Sequence, residues 1–173
     1  MVKRIMEENL ARQVQLMGML SSTEEETVTR VEQLLEDKRA KEKEIDALNE
    51  KLCNSLAKSV LEDCEKNENV AVVDLGDVNM NFMMMLSNKI LDAMKEENVM
   101  LLFLGEDKDD SDSGPFLLTG TAALVDSVGK KVGEILGGRG GGKNGRFQGK
   151  GTKLRSSLGD VKQLLAEVMK GAV

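Results

Sequence analysis

The segment VMLLFLGEDKDDSDSGPFLLT (residues 99–119) places two apolar runs on either side of a charged turn. VMLLFL (99–104) has the continuous apolar composition of a strand that is buried on both faces. FLLT (116–119) follows Pro115 and predicts a second strand. EDKDDSDSG (106–114) is typical of a solvated turn, since it lacks the glycine and the glutamate at the positions where an EF-hand calcium loop requires them.

The elements on both sides of this segment complete a small domain. VAVVDL (70–75) is a further strand candidate, and residues 79–96 carry apolar side chains at helical spacing. Thr121 can cap a further helix, which begins after it, and a last helix is predicted over about 157–170. The order of these elements predicts the α/β class, with a small mixed β-sheet covered by helices.

Two more helices are predicted before this domain, over residues 2–20 and about 24–66. The apolar stripe of the second helix is interrupted by the charged run EDKRAKEKE (36–44), so we expect it to pack at its ends and to cross solvent between them. The chain should therefore divide into a long, coiled-coil-like helical hairpin at 1–66 and an α/β domain at 67–173.

The composition excludes several classes of function. The chain has no histidine, which is the commonest general base and metal ligand. Its two cysteines, Cys53 and Cys64, have a spacing that fits no zinc motif and indicates no disulfide framework. The sequence has neither a recognisable signal peptide nor a run of about 20 apolar residues. We therefore expect a soluble, cytoplasmic protein without a metal, a cofactor or a membrane partner.

Charge is distributed unevenly along the chain. The net charge is −6 at pH 7, but residues 130–155 carry eight Lys or Arg against a single Glu. A concentrated basic patch on an acidic chain indicates a surface that binds a polyanion.

The centre of this patch is the glycine-rich loop GGRGGGKNGRFQGKG (137–151), with eight glycines in fifteen residues. It does not fit a P-loop, because Asn144 stands where Ser or Thr is required and because the segment follows a helix rather than a strand. A flexible linker remains an alternative, although linkers usually combine Gly with Ser and carry little charge. The alternation of Gly with Lys and Arg favours binding to the phosphate backbone of a nucleic acid.

Two roles are open for Phe147, the single aromatic residue of the loop. Its ring can stack on an exposed base, which is worth about 1–3 kcal/mol. Alternatively, it belongs to the core or, with Gln148, to a short edge strand.

Two segments resemble a known family. LSSTEEETVTRVEQLLEDKRAKEKEIDALNEKL (20–52) resembles the helical connector of alanyl-tRNA synthetases. Residues 101–153 resemble the DHH-associated domain at the end of the free-standing alanyl-tRNA editing proteins of eukaryotes, where a Lys/Gly-rich loop also runs into GRFQGK, here 145–150. The second resemblance is the more specific one.

The resemblance implies a function in translation fidelity. The family hydrolyses tRNA-Ala mischarged with serine or glycine, and the resemblance implies that its C-terminal domain holds the tRNA elbow through the glycine-rich loop. The helices at 2–66 would then form a homodimer or dock against an editing domain. The residues that the resemblance assigns to RNA binding are Gly138, Arg139, Gly140, Gly141, Gly142, Lys143, Arg146, Phe147, Gln148 and Lys150.

The chain also departs from the family pattern. The editing site of the family is a zinc centre built from two His in one motif and from Cys and His in another, and this chain has no His. We therefore expect no catalysis by this chain alone, whether it is a fragment, a truncated gene model or a natural paralogue without the editing domain. The alternative function is a non-catalytic interaction or dimerisation protein of the same family.

Overall fold

The computed structural model describes residues 2–23, 25–67, 69–94 and 98–171. It divides into two compact units, residues 1–49 and residues 50–173. No helix within these described ranges is long and apolar enough to cross a membrane.

The first unit is helical. It contains α1 (Val2–Leu20) and the beginning of α2 (Thr27–Lys66), so the second helix starts a few residues later than predicted. The large apolar side chains of both helices in this unit are mostly exposed, among them Leu10, Val28 and Ile45. The coiled-coil-like pairing of these helices therefore stays a prediction.

The second unit is built on a mixed sheet of five strands. The strands are β1 (Val70–Asp74), β2 (Met100–Leu104), β3 (Gly114–Gly120), β4 (Arg139–Gly141) and β5 (Arg146–Gly151). Their order in the sheet is β1-β2-β3-β5-β4, in which β1 and β2 are parallel and every other neighbouring pair is antiparallel. The helices are α3 (Met80–Ala93), α4 (Ala122–Ile135) and α5 (Leu158–Gly171). The predicted α/β class, with a small mixed sheet and helices before it, is confirmed.

Different helices cover the two faces of the sheet. Met100, Leu102 and Leu104 of β2 pack with α4 and α5, whereas Leu101 and Phe103 pack with α3 and the end of α2. Because successive side chains of a strand point to opposite faces, a strand covered on both sides must be apolar throughout. All five residues of β2 are buried, which explains the continuous apolar run that predicted it.

The C-terminal part of α2 belongs to this second unit. Cys53, Ala57, Val60 and Cys64 recur at helical spacing and are buried in the cluster that includes Phe82 of α3. The boundary between the two compact units consequently lies between residues 49 and 50, inside α2. The division into domains at 1–66 and 67–173 stays a prediction.

Two local predictions need correction. Residues 139–151 form a β-hairpin rather than an open loop, and Phe147 and Gln148 lie in β5, an interior strand whose outer neighbour β4 is the edge. Thr121 occupies the cap position of α4 but makes no side-chain capping bond to that helix. Its hydroxyl oxygen instead accepts a hydrogen bond from the backbone N–H of Val99, at 3.1 Å, and so ties the start of α4 to the strand β2.

Candidate nucleic-acid interface

The glycine-rich segment folds into a hairpin around a tight turn. Asn144 and Gly145 have φ angles of 58° and 76°, and positive φ at both central residues is what a type I′ turn requires. In the flanking strands Arg139 lies opposite Lys150, and Gly141 lies opposite Gln148. Continued up to the turn, this register places Lys143 opposite Arg146.

One face of the hairpin carries the cations. Directly opposed residues of antiparallel strands project to the same face, and so do alternate residues along one strand. Register and alternation therefore gather five exposed side chains on one side, and we call this set the basic face. Its members are Arg139, Lys143, Arg146, Gln148 and Lys150.

The opposite face of the hairpin is packed into the core. The side chain of Phe147 is only 8% exposed, and its ring lies 6.1 Å from that of Phe116, with the two planes inclined by 29°. α4 approaches this ring through two glycines, Gly129 and Gly133. Of the two roles that were open for Phe147, the burial favours the core, since stacking on a base would require the ring to leave this packing.

Three of the four glycines between residues 138 and 142 are required by the close packing of the hairpin. A Cβ at Gly138, Gly140 or Gly142 would collide with the backbone carbonyl oxygen of Lys150, Gln148 or Arg146, respectively. Only a residue without a side chain allows the two strands to approach so closely. Gly141 is different, because nothing lies within 4 Å of its Cβ position. Gly141 lies opposite Gln148, so its Cβ position is on the basic-face side of the hairpin, where it would meet no protein atom.

Two cations of the basic face are held by neighbouring elements. Lys150 Nζ forms an ion pair with Asp107 Oδ2 at 2.6 Å, in the turn between β2 and β3. Arg146 Nη2 donates a hydrogen bond to Asn88 Oδ1 on α3. Asp107 therefore neutralises part of the charge of the basic face, whereas Asn88 orients a guanidinium without neutralising it.

The end of β5 is fixed by a second polar cluster. Asp112 Oδ1 accepts hydrogen bonds from the backbone N–H groups of Arg155, at 2.6 Å, and Ser156, at 3.0 Å. The Ser156 hydroxyl donates to Asp112 Oδ2 at 2.7 Å. These bonds, led by that of the Ser156 hydroxyl, hold the pKa of Asp112 below its usual value. The chain that leaves β5 is thereby attached to the turn between β2 and β3.

Arg155 itself extends this cluster to β1. Its Nε and Nη2 donate to the two carboxylate oxygens of Asp74, both at 2.7 Å, and Nη2 also lies 3.0 Å from Glu106 Oε2. Partial burial acts to raise the pKa of Asp74, but the hydrogen bonds from Arg155 and from the N–H of Gly76 outweigh it and lower that pKa. The bidentate pair joins the end of β1 to the segment that follows β5.

The two cysteines of the described chain do not fit a zinc centre. Cys53 and Cys64 are both fully buried, and burial raises the pKa of Cys64 to about 11, with Asp63 and Glu65 adding to the shift. A zinc ligand must be a thiolate, which such surroundings disfavour. Within the described part of the chain, no group of three or more His, Cys, Asp or Glu has an arrangement that could hold a metal ion.

Sequence reasoning missed several residues of this region. Asn144-Gly145 carried a usable signal, since Asn-Gly between two extended runs is a strong indicator of a hairpin. Asn88, Asp107 and Arg155 carried none, because their partners are brought together only by the sheet.

Similar proteins were found by sequence and by structure. The chain is 41% identical over 91 residues to the alanyl-tRNA editing protein Aarsd1 of Bos taurus, a match that covers 53% of this chain and 19% of that protein. It is 30% identical over 166 residues to the alanine–tRNA ligase of Alkaliphilus metalliredigens, covering 89% of this chain and 18% of the ligase. The chain thus spans about a fifth of the length of these relatives. No protein-family model matches it.

The fold also occurs in a solved structure of a larger protein. RecJ from Thermus thermophilus, solved in complex with Mg²⁺, matches with a TM-score of 0.53 and 14% identity, covering 90% of this chain and 22% of RecJ. At that level of identity the likeness shows the fold alone.

Proposed function

We propose that this chain, a homologue of the alanyl-tRNA editing proteins and the alanine–tRNA ligases, is a tRNA-binding module without catalytic activity of its own. The basic face binds the phosphate backbone, and the elbow of tRNA-Ala is the part of the RNA that the family resemblance implies.

The observation that carries the proposal is the one-sided arrangement of charge on the hairpin. Four cations and one amide project from the same face of a two-stranded ribbon, and all five side chains are exposed. Lys and Arg in such an array can neutralise successive phosphates and release their counterions. Contacts of this kind position the RNA without reading its sequence, so specificity for tRNA must come from shape.

The salt dependence of tRNA binding tests the proposal. With about four phosphate contacts, the slope of log K against log salt should be roughly −3 to −4. Arg146→Ala and Lys143→Ala should each make that slope shallower by about one unit. Lys58→Ala is the matched control, since Lys58 is an exposed cation of α2 outside residues 130–155, and it should leave the slope unchanged. If neither face variant alters affinity at low salt, the hairpin is not the binding site.

A shortened RNA separates the elbow from the rest of the tRNA. A minihelix that contains only the acceptor stem and its stacked arm lacks the elbow. We expect the chain to bind this minihelix about tenfold more weakly than whole tRNA-Ala at the same salt concentration. Equal affinities would exclude the elbow while leaving backbone binding by the hairpin intact.

The absence of catalysis is a separate part of the proposal. Hydrolysis of mischarged tRNA by a zinc-bound water needs protein ligands for the metal, and the two buried thiols of this chain do not supply them. Serine-charged tRNA-Ala incubated with the purified chain and zinc should lose serine no faster than it does in buffer. Faster hydrolysis would overturn this part of the proposal.

The second candidate function is interaction through the helices. Across the described residues, the exposed large hydrophobic side chains all lie in α1 and in α2 up to Leu52. Apolar patches of this kind mark surfaces that bind proteins, so the helices could support dimerisation or docking to an editing domain. Sedimentation of the whole chain should then depend on concentration, and Ile45→Lys combined with Leu48→Lys should abolish that dependence. Monomeric behaviour at all concentrations would exclude a homodimer.

A further inference from the structure

The strand β1 has an unpaired outer edge. It lies first in the strand order, and no strand of the described chain pairs with it on the side away from β2. The backbone of Asn69 accepts from Met100 N, at 3.0 Å, and Leu75 N donates to Leu104 O, at 2.9 Å. Because successive residues of a strand direct their backbone groups to opposite sides, the N–H and C=O of Val72 point outward.

A groove runs along this edge between two helices. One wall is the end of α2, and the other wall is α5, with residues 70–73 of β1 between them. Ala166 and Met169 give the α5 wall an apolar part. The charged residues that line the groove are Asp63, Lys66, Lys162 and Lys170.

These charges are opposite in sign to the chain as a whole. Three lysines against one aspartate make the lining basic, whereas the net charge of the protein is −6. The lining of the groove therefore favours an acidic ligand. Its position also matters, because β1 and the hairpin strand β4 are at opposite edges of the sheet. A ligand at β1 does not compete for the basic face.

We propose that the groove beside β1 binds an extended, acidic segment of a partner protein, which adds to the sheet as a sixth strand. Backbone hydrogen bonds to an exposed strand edge provide affinity in this mode of recognition, and alternate side chains provide specificity. Here the outward groups of Val72 supply the backbone bonds, and Lys66, Lys162 and Lys170 pair with the acidic side chains. A nucleic acid could pair with the lysines but could not add a strand to the sheet. The exposed strand edge therefore favours a peptide as the ligand.

A designed peptide tests the proposal on the whole chain. The probe is a fluorescein-labelled peptide of roughly seven alternating Glu and Val residues, and its binding is followed by fluorescence anisotropy. A peptide with Lys in place of Glu tests charge, and a peptide with N-methylated backbone amides tests strand pairing. We expect the acidic peptide to bind with a Kd below about 1 mM and both control peptides to bind about tenfold more weakly.

Variants of the protein locate the binding. Lys162→Glu combined with Lys170→Glu should weaken binding of the acidic peptide about tenfold. Lys130→Glu, which replaces an exposed lysine of α4, should leave that binding unchanged. Val72→Pro removes the outward N–H, a change that an edge strand tolerates, and should also weaken binding. In the wild-type chain, exchange of the Val72 amide hydrogen should slow when the peptide is added.

Three results would overturn the proposal. The first is that the N-methylated peptide binds as tightly as the unmodified acidic peptide. The second is that the double lysine variant binds the acidic peptide as tightly as the wild type. The third is that the wild-type chain does not bind the acidic peptide at millimolar concentration. If the double variant instead loses affinity for tRNA, the groove lysines serve a nucleic acid. Failure of the proposal leaves the hairpin variants and their salt slopes unaffected, so the two binding surfaces are tested separately.

Discussion

The ring of Phe147 occupies the space that a side chain at Gly129 would need. A Cβ placed on Gly129 would lie 2.7 Å from the Cγ atom of that ring, closer than carbon atoms approach without displacement. The absence of a side chain in the middle of α4 therefore lets the helix lie directly on the strand that carries the basic face.

We predict that Gly129→Ala destabilises the protein by up to about 2 kcal/mol. Overpacking costs about 1–3 kcal/mol, from which the roughly 1 kcal/mol that alanine brings to a helix is subtracted. Urea denaturation measures the difference. Gly159→Ala in α5 is the control, because nothing lies within 4 Å of its Cβ position. It should be neutral or slightly stabilising, and equal losses in both variants would contradict the steric argument.

Replacement of the ring itself should affect stability rather than RNA binding. We expect Phe147→Leu to lower the free energy of unfolding by about 1–2 kcal/mol, through lost contact with Phe116 and the cavity that remains. The affinity of the folded fraction for tRNA and its salt slope should not change. Thermal unfolding and tRNA titration on the same sample separate the two effects. Weaker tRNA binding at an unchanged melting temperature would instead indicate that the Phe147 ring stacks on a base.

The turn of the hairpin gives a prediction with a matched control. Gly145 has a φ of 76°, and a Cβ there would collide with the carbonyl oxygen of Gly120. Gly145→Ala should therefore destabilise the protein by about 2 kcal/mol or more. Gly141→Ala, which meets nothing within 4 Å, should change stability by less than about 0.5 kcal/mol. Similar unfolding midpoints for both variants would show that the turn tolerates a side chain.

If the basic face binds RNA as proposed, Asp107 should weaken that binding, because it pairs with Lys150. We expect Asp107→Asn to raise the affinity for tRNA about two- to fivefold at low salt, with a somewhat steeper salt slope, since one more cation becomes available to phosphate. Asp109→Asn removes a charge from the same turn without that ion pair and should have a smaller effect. If the two variants bind equally, only the general field of the turn matters.

The pH dependence of stability should report on Asp112. Its pKa is lowered in the folded state by the Ser156 hydroxyl and by the N–H groups of Ser156 and Arg155. A carboxylate of this kind stabilises the fold above its unfolded pKa of about 3.9 and loses that contribution as the pH falls below it. Asp112→Asn should therefore be less stable than the wild type at pH 7, and the difference should shrink as the pH falls below about 3.9 toward the lowered pKa of the folded state. A difference that does not change with pH would rule out the charge as its cause.

The parts of the fold that sequence could predict are those with a regular apolar pattern. β1, β2 and α3 stand close to their expected bounds, because a strand covered on both faces and a helix covered on one leave distinct periodicities. The mixed sheet followed from the order of these elements.

The hairpin was not recognised, and the reason is physical. Its inward face is lined largely by glycine, with Phe147 as the one large apolar side chain, so the alternation of a half-buried strand is hidden. On that face, backbone atoms of the neighbouring strand occupy the positions that side chains would otherwise take. The residues that orient or neutralise the cations, Asn88 and Asp107, depend on tertiary contacts that no local pattern records.

Because side chains alternate strictly between the two faces of β5, the hairpin is sensitive to whether an odd or an even number of residues is inserted or deleted. Insertion or deletion of one residue between Arg146 and Lys150 would leave Arg146 on the basic face but turn Lys150 to the opposite face, where α4 packs, because a slip by one position reverses every side chain beyond it. A change of two residues would restore the orientation and only displace the charges along the strand. Among natural or designed variants of this hairpin, those that keep all their cations on one face should therefore differ in strand length by even numbers, whatever residues they carry.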